Sequence, residues 1–164
     1  MSKLIGFPHS VNEVSARLVA SGVVGMCAAV LAFRWTWVLV PLSYGFVARL
    51  LTGPKLSPLG QFVTKVATPR MPFPEKLVPG PPKRFAQGIG ATLSVGALVA
   101  HFMFGATGLA LLLVAAITVA ATLEAALGFC LGCKIFALLM RFGVIPPEAC
   151  ADCNDLSLRL HRAA

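Results

Sequence analysis

GIGATLSVGALVAHFMFGATGLALLLVAAITVAATLEAALG, residues 88–128, carries one carboxylate, one histidine and no other ionisable side chain. A helix needs about 20 apolar residues to cross a hydrocarbon core. The stretch therefore predicts two crossings, 88–104 and 107–128, joined by an uncharged turn at Gly105 and Ala106. Its Gly, Ala, Ser and Thr let helix backbones approach closely in lipid, where apolar burial no longer drives association. These two segments read as a helical hairpin.

Towards the N-terminus, SARLVASGVVGMCAAVLAF at 15–33 and WTWVLVPLSYGFVARLL at 35–51 predict a second hairpin. Arg34 marks its turn, beside Trp35 and Trp37, because indoles favour the membrane interface and arginine can snorkel out of the core. Between the hairpins, residues 52–87 hold eight of the twelve prolines, a density that favours an irregular loop with at most a short interfacial turn over Leu59 to Val66. Residues 129–164 form a tail. The fold class predicted is thus an all-α membrane protein, a single integral domain over 1–164 with about four transmembrane helices as two hairpins.

Composition agrees. The 164 residues are 57% hydrophobic and 12% charged, with a mean hydropathy of +0.83; soluble domains average about 25% charged residues. No separate soluble domain fits, and a lipid bilayer is the implied partner. Pro8, His9, Asn12, Glu13 and Arg17 interrupt the start, so a cleavable signal is not expected. The net charge of +8 comes from basic residues flanking apolar runs, without an aromatic-interleaved patch, and does not point to nucleic acid. Thirteen of the fourteen Lys and Arg fall on one side of a four-span layout, Arg34 being the exception. Positive charge is retained on the cytoplasmic side, which places both termini and the Pro-rich loop there, in a multi-pass protein of the bacterial cytoplasmic (inner) membrane.

The chemistry of the chain sits in its tail. Cys130 and Cys133 form one Cys-x-x-Cys pair, and Cys150 and Cys153 a second. Such a dithiol can resolve a mixed disulfide intramolecularly, and a helix N-terminus or nearby Lys lowers the pKa of the attacking thiol. A continuous helix through Cys130 would instead put it at a C-terminal end, which opposes thiolate formation. The redox reading therefore requires a break near Gly132 that lets a new helix start at the pair. Alternatively, all four cysteines match the spacing of a tetrahedral zinc site, which would make the protein a membrane scaffold and not an enzyme. No other cofactor is implied. Cys27, alone in the first helix, reads as a packing residue.

Glu124 lies six positions before Cys130 inside the last predicted span, where a carboxylate needs a partner. Arg17 and Arg49 fall at comparable depth and are the expected counter-charges; alternatively, Glu124 exchanges protons with the Cys130 and Cys133 pair. His101 reads as a packed, hydrogen-bonded side chain, and Lys83 and Arg84 as anchors to anionic headgroups just ahead of the third helix. A polar path marked only by Glu124 and His101 gives little support to a solute transporter.

VNEVSARLVASGV at 11–23, PPKRFAQ at 81–87 and LEAALGFCLGCKIF at 123–136 resemble the uncharacterised bacterial membrane-protein family known as domain of unknown function 4395. The resemblance spans roughly residues 10 to 140 and leaves Cys150 and Cys153 outside. It implies an association with thioredoxin-like or sulfurtransferase-type proteins. The resulting expectation is a membrane-bound thiol-disulfide redox or sulfur-relay protein acting through Cys130, Cys133, Cys150 and Cys153, with Glu124 in support.

Overall fold

The computed structural model describes residues 10–70, 77–146 and 150. Its chain order is β1 (Ser10–Asn12), α1 (Glu13–Phe33), α2 (Leu39–Thr52), α3 (Pro58–Phe62), β2 (Leu77–Pro79), α4 (Gly80–Phe102), α5 (Thr107–Leu127) and α6 (Leu131–Arg141). Asn12 caps α1, its side chain accepting from the Val14 N–H at 2.9 Å. The helix stops at Arg34, which adopts the left-handed conformation (φ 58°), and a 3-10 turn over Thr36–Val38 leads into α2.

Among the described residues three helices, α1, α4 and α5, are long and apolar enough to cross a membrane. The second predicted span, 35–51, becomes the 3-10 turn and a 14-residue helix. At 1.5 Å per residue that helix rises about 21 Å, short of a hydrocarbon core of about 30 Å.

The helices pack in the order α1, α5, α4, α2. Of the two predicted hairpins, α4 and α5 lie against each other as expected. In contrast, α1 and α2 scarcely touch; α1 runs along α5 and α2 along α4. Small residues decide this pairing. A methyl on Gly90 of α4 would lie 2.2 Å from Cε1 of Phe46, so only glycine admits the α2 ring at that depth. The core between the helices is built from Val23, Val30, Leu39, Leu42, Val114 and Ile117 with their neighbours.

Beside the seam between α1 and α2 lies α3, followed by one turn of π-helix at Val63–Ala67, where the sequence predicts a short turn. Leu59 of α3 packs onto Gly22 of α1. Two features were not legible in the sequence. β1 and β2 pair antiparallel, Ser10 opposite Pro79, strands too short to show a period. And α4 begins at Gly80, not at 88, because Pro81 and Pro82 sit in its first turn, where a missing N–H is harmless. Lys83 and Arg84 therefore belong to the helix, and the irregular loop ends at Pro79.

At the other end of the hairpin, α5 terminates at Leu127. Gly128 takes the left-handed conformation (φ 67°), a position at which glycine carries no steric penalty. Cys130 is extended (φ −87°, ψ 106°) and occupies the N-cap of α6. The chain thus breaks at 128–130, slightly ahead of the break near Gly132 that the redox reading requires.

Candidate functional site

The break converts the Cys-x-x-Cys spacing into a geometry. Cys130 precedes the first turn of α6 and Cys133 lies within it; both are free thiols, Cys130 buried and Cys133 half-buried. α6 is held against α4 by close contact: a methyl on Gly132 would meet the Ala86 Cβ at 2.5 Å and its Cα at 2.6 Å. One turn on, the Phe136 ring packs on Phe85 at 5.7 Å between centroids. This contact carries the cysteines to the N-terminal turns of α4, and so to Lys83.

Lys83 forms an ion pair with Glu124 of α5, both side chains largely buried. The sequence suggests Arg17 or Arg49 as the partner of Glu124. Lys83 takes that place because α4 starts early and puts its ammonium inside the bundle. Arg17 instead caps α5, donating from Nε to the Ala125 carbonyl at 3.2 Å and from Nη2 to that of Ala126 at 2.7 Å, as a cation at a helix C-terminus should.

The two thiols are made unequal by their surroundings. The Cys133 thiol donates a hydrogen bond to Cys130, and with Lys83 and the Cys133 backbone N–H it holds the Cys130 thiol below the ordinary range, against burial and the charge of Glu124. Cys133 is pushed well up by that same hydrogen bond, by burial and by the negative charge on Cys130. A thiolate at a helix N-terminus is also favoured by the helix dipole. In a pH titration, the thiolate absorption lost on replacing Cys130 with Ser is therefore expected to have its midpoint below that of an unperturbed free thiol measured under the same conditions. A midpoint above that value contradicts the arrangement.

Next to Cys130 the helices leave a partly open cavity of about 220 Å³. All five longer helices contribute to its lining, which is apolar apart from Arg49, Gln87, Glu124 and the sulfur-bearing Cys130. Arg49 is 4% exposed. Its Nε donates to Gln87 Oε1 at 3.0 Å and its Nη1 to Ser57 Oγ at 3.2 Å, while Nη2 is buried without a hydrogen-bond partner. The guanidinium also lies over the Phe46 ring, 4.7 Å from its centroid. Sequence reading saw in Arg49 only a counter-charge; its place in the cavity follows from the pairing of α2 with α4.

The remaining sequence candidates lie elsewhere. Cys27 is fully buried in the helix core. His101 bonds Thr107 through Nδ1 at 3.1 Å in the turn between α4 and α5, at the opposite end, consistent with a packed histidine. Cys150 is buried and disulfide-bonded; Cys153 lies outside the described residues. Among the described residues no group of three or more His, Cys, Asp or Glu is placed to hold a metal ion.

No curated protein and no solved structure matches the chain. A family defined by sequence does match, over residues 11–141, and that range contains Lys83, Glu124, Cys130 and Cys133 but neither Cys150 nor Cys153. The chain accordingly belongs to the family described as domain of unknown function DUF4395.

Proposed function

We propose that the protein is a multi-pass thiol-disulfide protein of the bacterial cytoplasmic membrane that exchanges electrons with a thioredoxin-like or sulfurtransferase-type partner through Cys130 and Cys133. In this reading the turn at Thr36–Val38 and α2 complete a fourth crossing, and the charge asymmetry turns the cysteine end towards the cytoplasm. The observation that carries the proposal is the division of labour within the pair. Cys130 caps a helix, is buried and is favoured as thiolate, whereas Cys133 is the more accessible sulfur.

Thiol exchange is fastest when the attacked sulfur is accessible and the leaving thiol has a low pKa. With the pair oxidised, a partner thiolate attacks Cys133. A partner–Cys133 disulfide forms, the Cys130–Cys133 bond breaks, and Cys130 leaves as the thiolate that its surroundings stabilise. The second thiol of the partner then attacks the mixed disulfide and releases Cys133, which takes up a proton. The partner loses two electrons and the pair gains them. In this reading Glu124, joined to Lys83, serves as the proton-exchange partner of Cys133.

A Cys130→Ser variant retains the accessible sulfur and lacks the resolving one. It is expected to accumulate a mixed disulfide between Cys133 and a protein carrying its own Cys-x-x-Cys, recovered from membranes under non-reducing conditions and identified by mass spectrometry. The double Cys130→Ser/Cys133→Ser variant should trap none. Trapping that is absent from Cys130→Ser, or equally strong in Cys133→Ser alone, rejects the assignment.

A further inference from the structure

A pair that takes two electrons from a partner must pass them on, and the cavity beside Cys130 indicates to what. Four features of the cavity bear on its occupant. Its volume of about 220 Å³ equals that of about seven liquid waters, enough for one substituted six-membered ring. Its wall is mostly Ala, Val, Ile, Leu and Phe, including Ala20, Val23, Phe46, Leu93 and Ile117. Cys130 forms part of that wall. Arg49 also lines it, 4% exposed, with one buried guanidinium nitrogen that has no acceptor.

The unpaired donor and the apolar wall narrow the class further. Glu124, the carboxylate in the wall, is taken up by Lys83, and Arg49 is left with one guanidinium nitrogen without an acceptor. A neutral carbonyl on an apolar ring supplies that acceptor and fits the wall.

We propose that this cavity is a binding site for the head group of a lipid-soluble quinone, which accepts the electrons of the Cys130 and Cys133 pair. The inference rests on the thiol-disulfide reading above and names its electron acceptor. In the step, a bond forms between the two sulfurs and the S–H bond of Cys133 breaks. Two electrons pass to the quinone. The Cys133 proton and one proton from water complete the hydroquinone, so that Cys130 thiolate, Cys133 thiol, quinone and one proton give disulfide plus hydroquinone. Arg49 acts as a catalytic residue here: its free N–H donates to the quinone oxygen on which negative charge develops, a preorganised donor of the kind that stabilises oxyanions.

The test uses the full chain, reduced and reconstituted in lipid nanodiscs under anaerobic conditions. A short-chain benzoquinone with an alkyl tail is added, and its ultraviolet absorption and the protein thiols are followed together. One quinone is expected to be reduced per Cys130–Cys133 disulfide formed, and none by a Cys133→Ala variant. Arg49→Gln should slow quinone reduction at least tenfold more than it slows oxidation of the pair by diamide. Should that variant fail to fold, protection supplies a second readout on the wild-type protein: the quinone analogue at saturating concentration should slow alkylation of Cys130, and thiocyanate should not. If diamide fails to oxidise the pair, the thiol-disulfide reading itself fails. If diamide oxidises it but the quinone neither accepts electrons nor protects Cys130, or if thiocyanate protects in its place, the quinone site is rejected and the redox reading survives.

Discussion

Replacing Lys83 with methionine is expected to lower the stability of the protein by about 3 kcal/mol or more, the usual consequence of removing one partner from a buried ion pair. Methionine keeps most of the volume, so no large cavity contributes. The loss arises because the Glu124 carboxylate is left uncompensated between α4 and α5. The double variant Lys83→Met/Glu124→Gln should recover most of the stability, since neither buried charge remains. Simple additivity of the two single effects would show that the side chains do not act as a pair. Chemical unfolding in a mild detergent provides the measurement. The same variants have opposite signatures at the cysteine. Lys83 favours the Cys130 thiolate and Glu124 opposes it, so Lys83→Met should move the thiolate titration to higher pH and Glu124→Gln to lower pH.

Adding a single methyl group at Gly132 should have a comparable structural effect and a larger chemical one. The new Cβ would lie 2.6 Å from the Cα of Ala86. Because that atom is backbone, a rotamer change cannot relieve the contact and α6 must move away from α4. Overpacking of this kind typically destabilises by about 1–3 kcal/mol. Since Gly132 stands between Cys130 and Cys133, the shift also carries both sulfurs away from Lys83. Gly132→Ala is therefore expected to bring the Cys130 thiolate titration back towards a free thiol and to slow exchange with the partner. Gly25→Ala is the control: nothing lies within 4 Å of its added carbon, and in a helix interior alanine is favoured over glycine by up to about 1 kcal/mol. A Gly132→Ala protein whose titration and stability match those of Gly25→Ala would show that the α4 and α6 contact does not position the pair.

How much of this was legible beforehand differs from element to element. The apolar runs and the near absence of charge over 88–128 specified membrane helices, because length and hydropathy are local quantities that lipid selects directly. The Cys-x-x-Cys spacing singled out Cys130 and Cys133, and Gly128 lies where a helix can end. The early start of α4 was hidden by Pro81 and Pro82, which read as loop residues although the first turn of a helix tolerates them.

What the sequence by itself determined is therefore the apolar, helical character of the chain and the position of its Cys-x-x-Cys pair at 130 and 133. Tertiary structure alone decided that Lys83 and not Arg17 or Arg49 meets Glu124, that α2 lies on α4 and not on α1, and that Arg49, with one unpaired nitrogen, lines the same cavity as Cys130. The physical reason is that helix pairing in lipid depends on where glycines let backbones and rings approach, as at Gly90 with Phe46 and at Gly132 with Ala86. Those contacts join residues more than forty positions apart, and no local pattern encodes them.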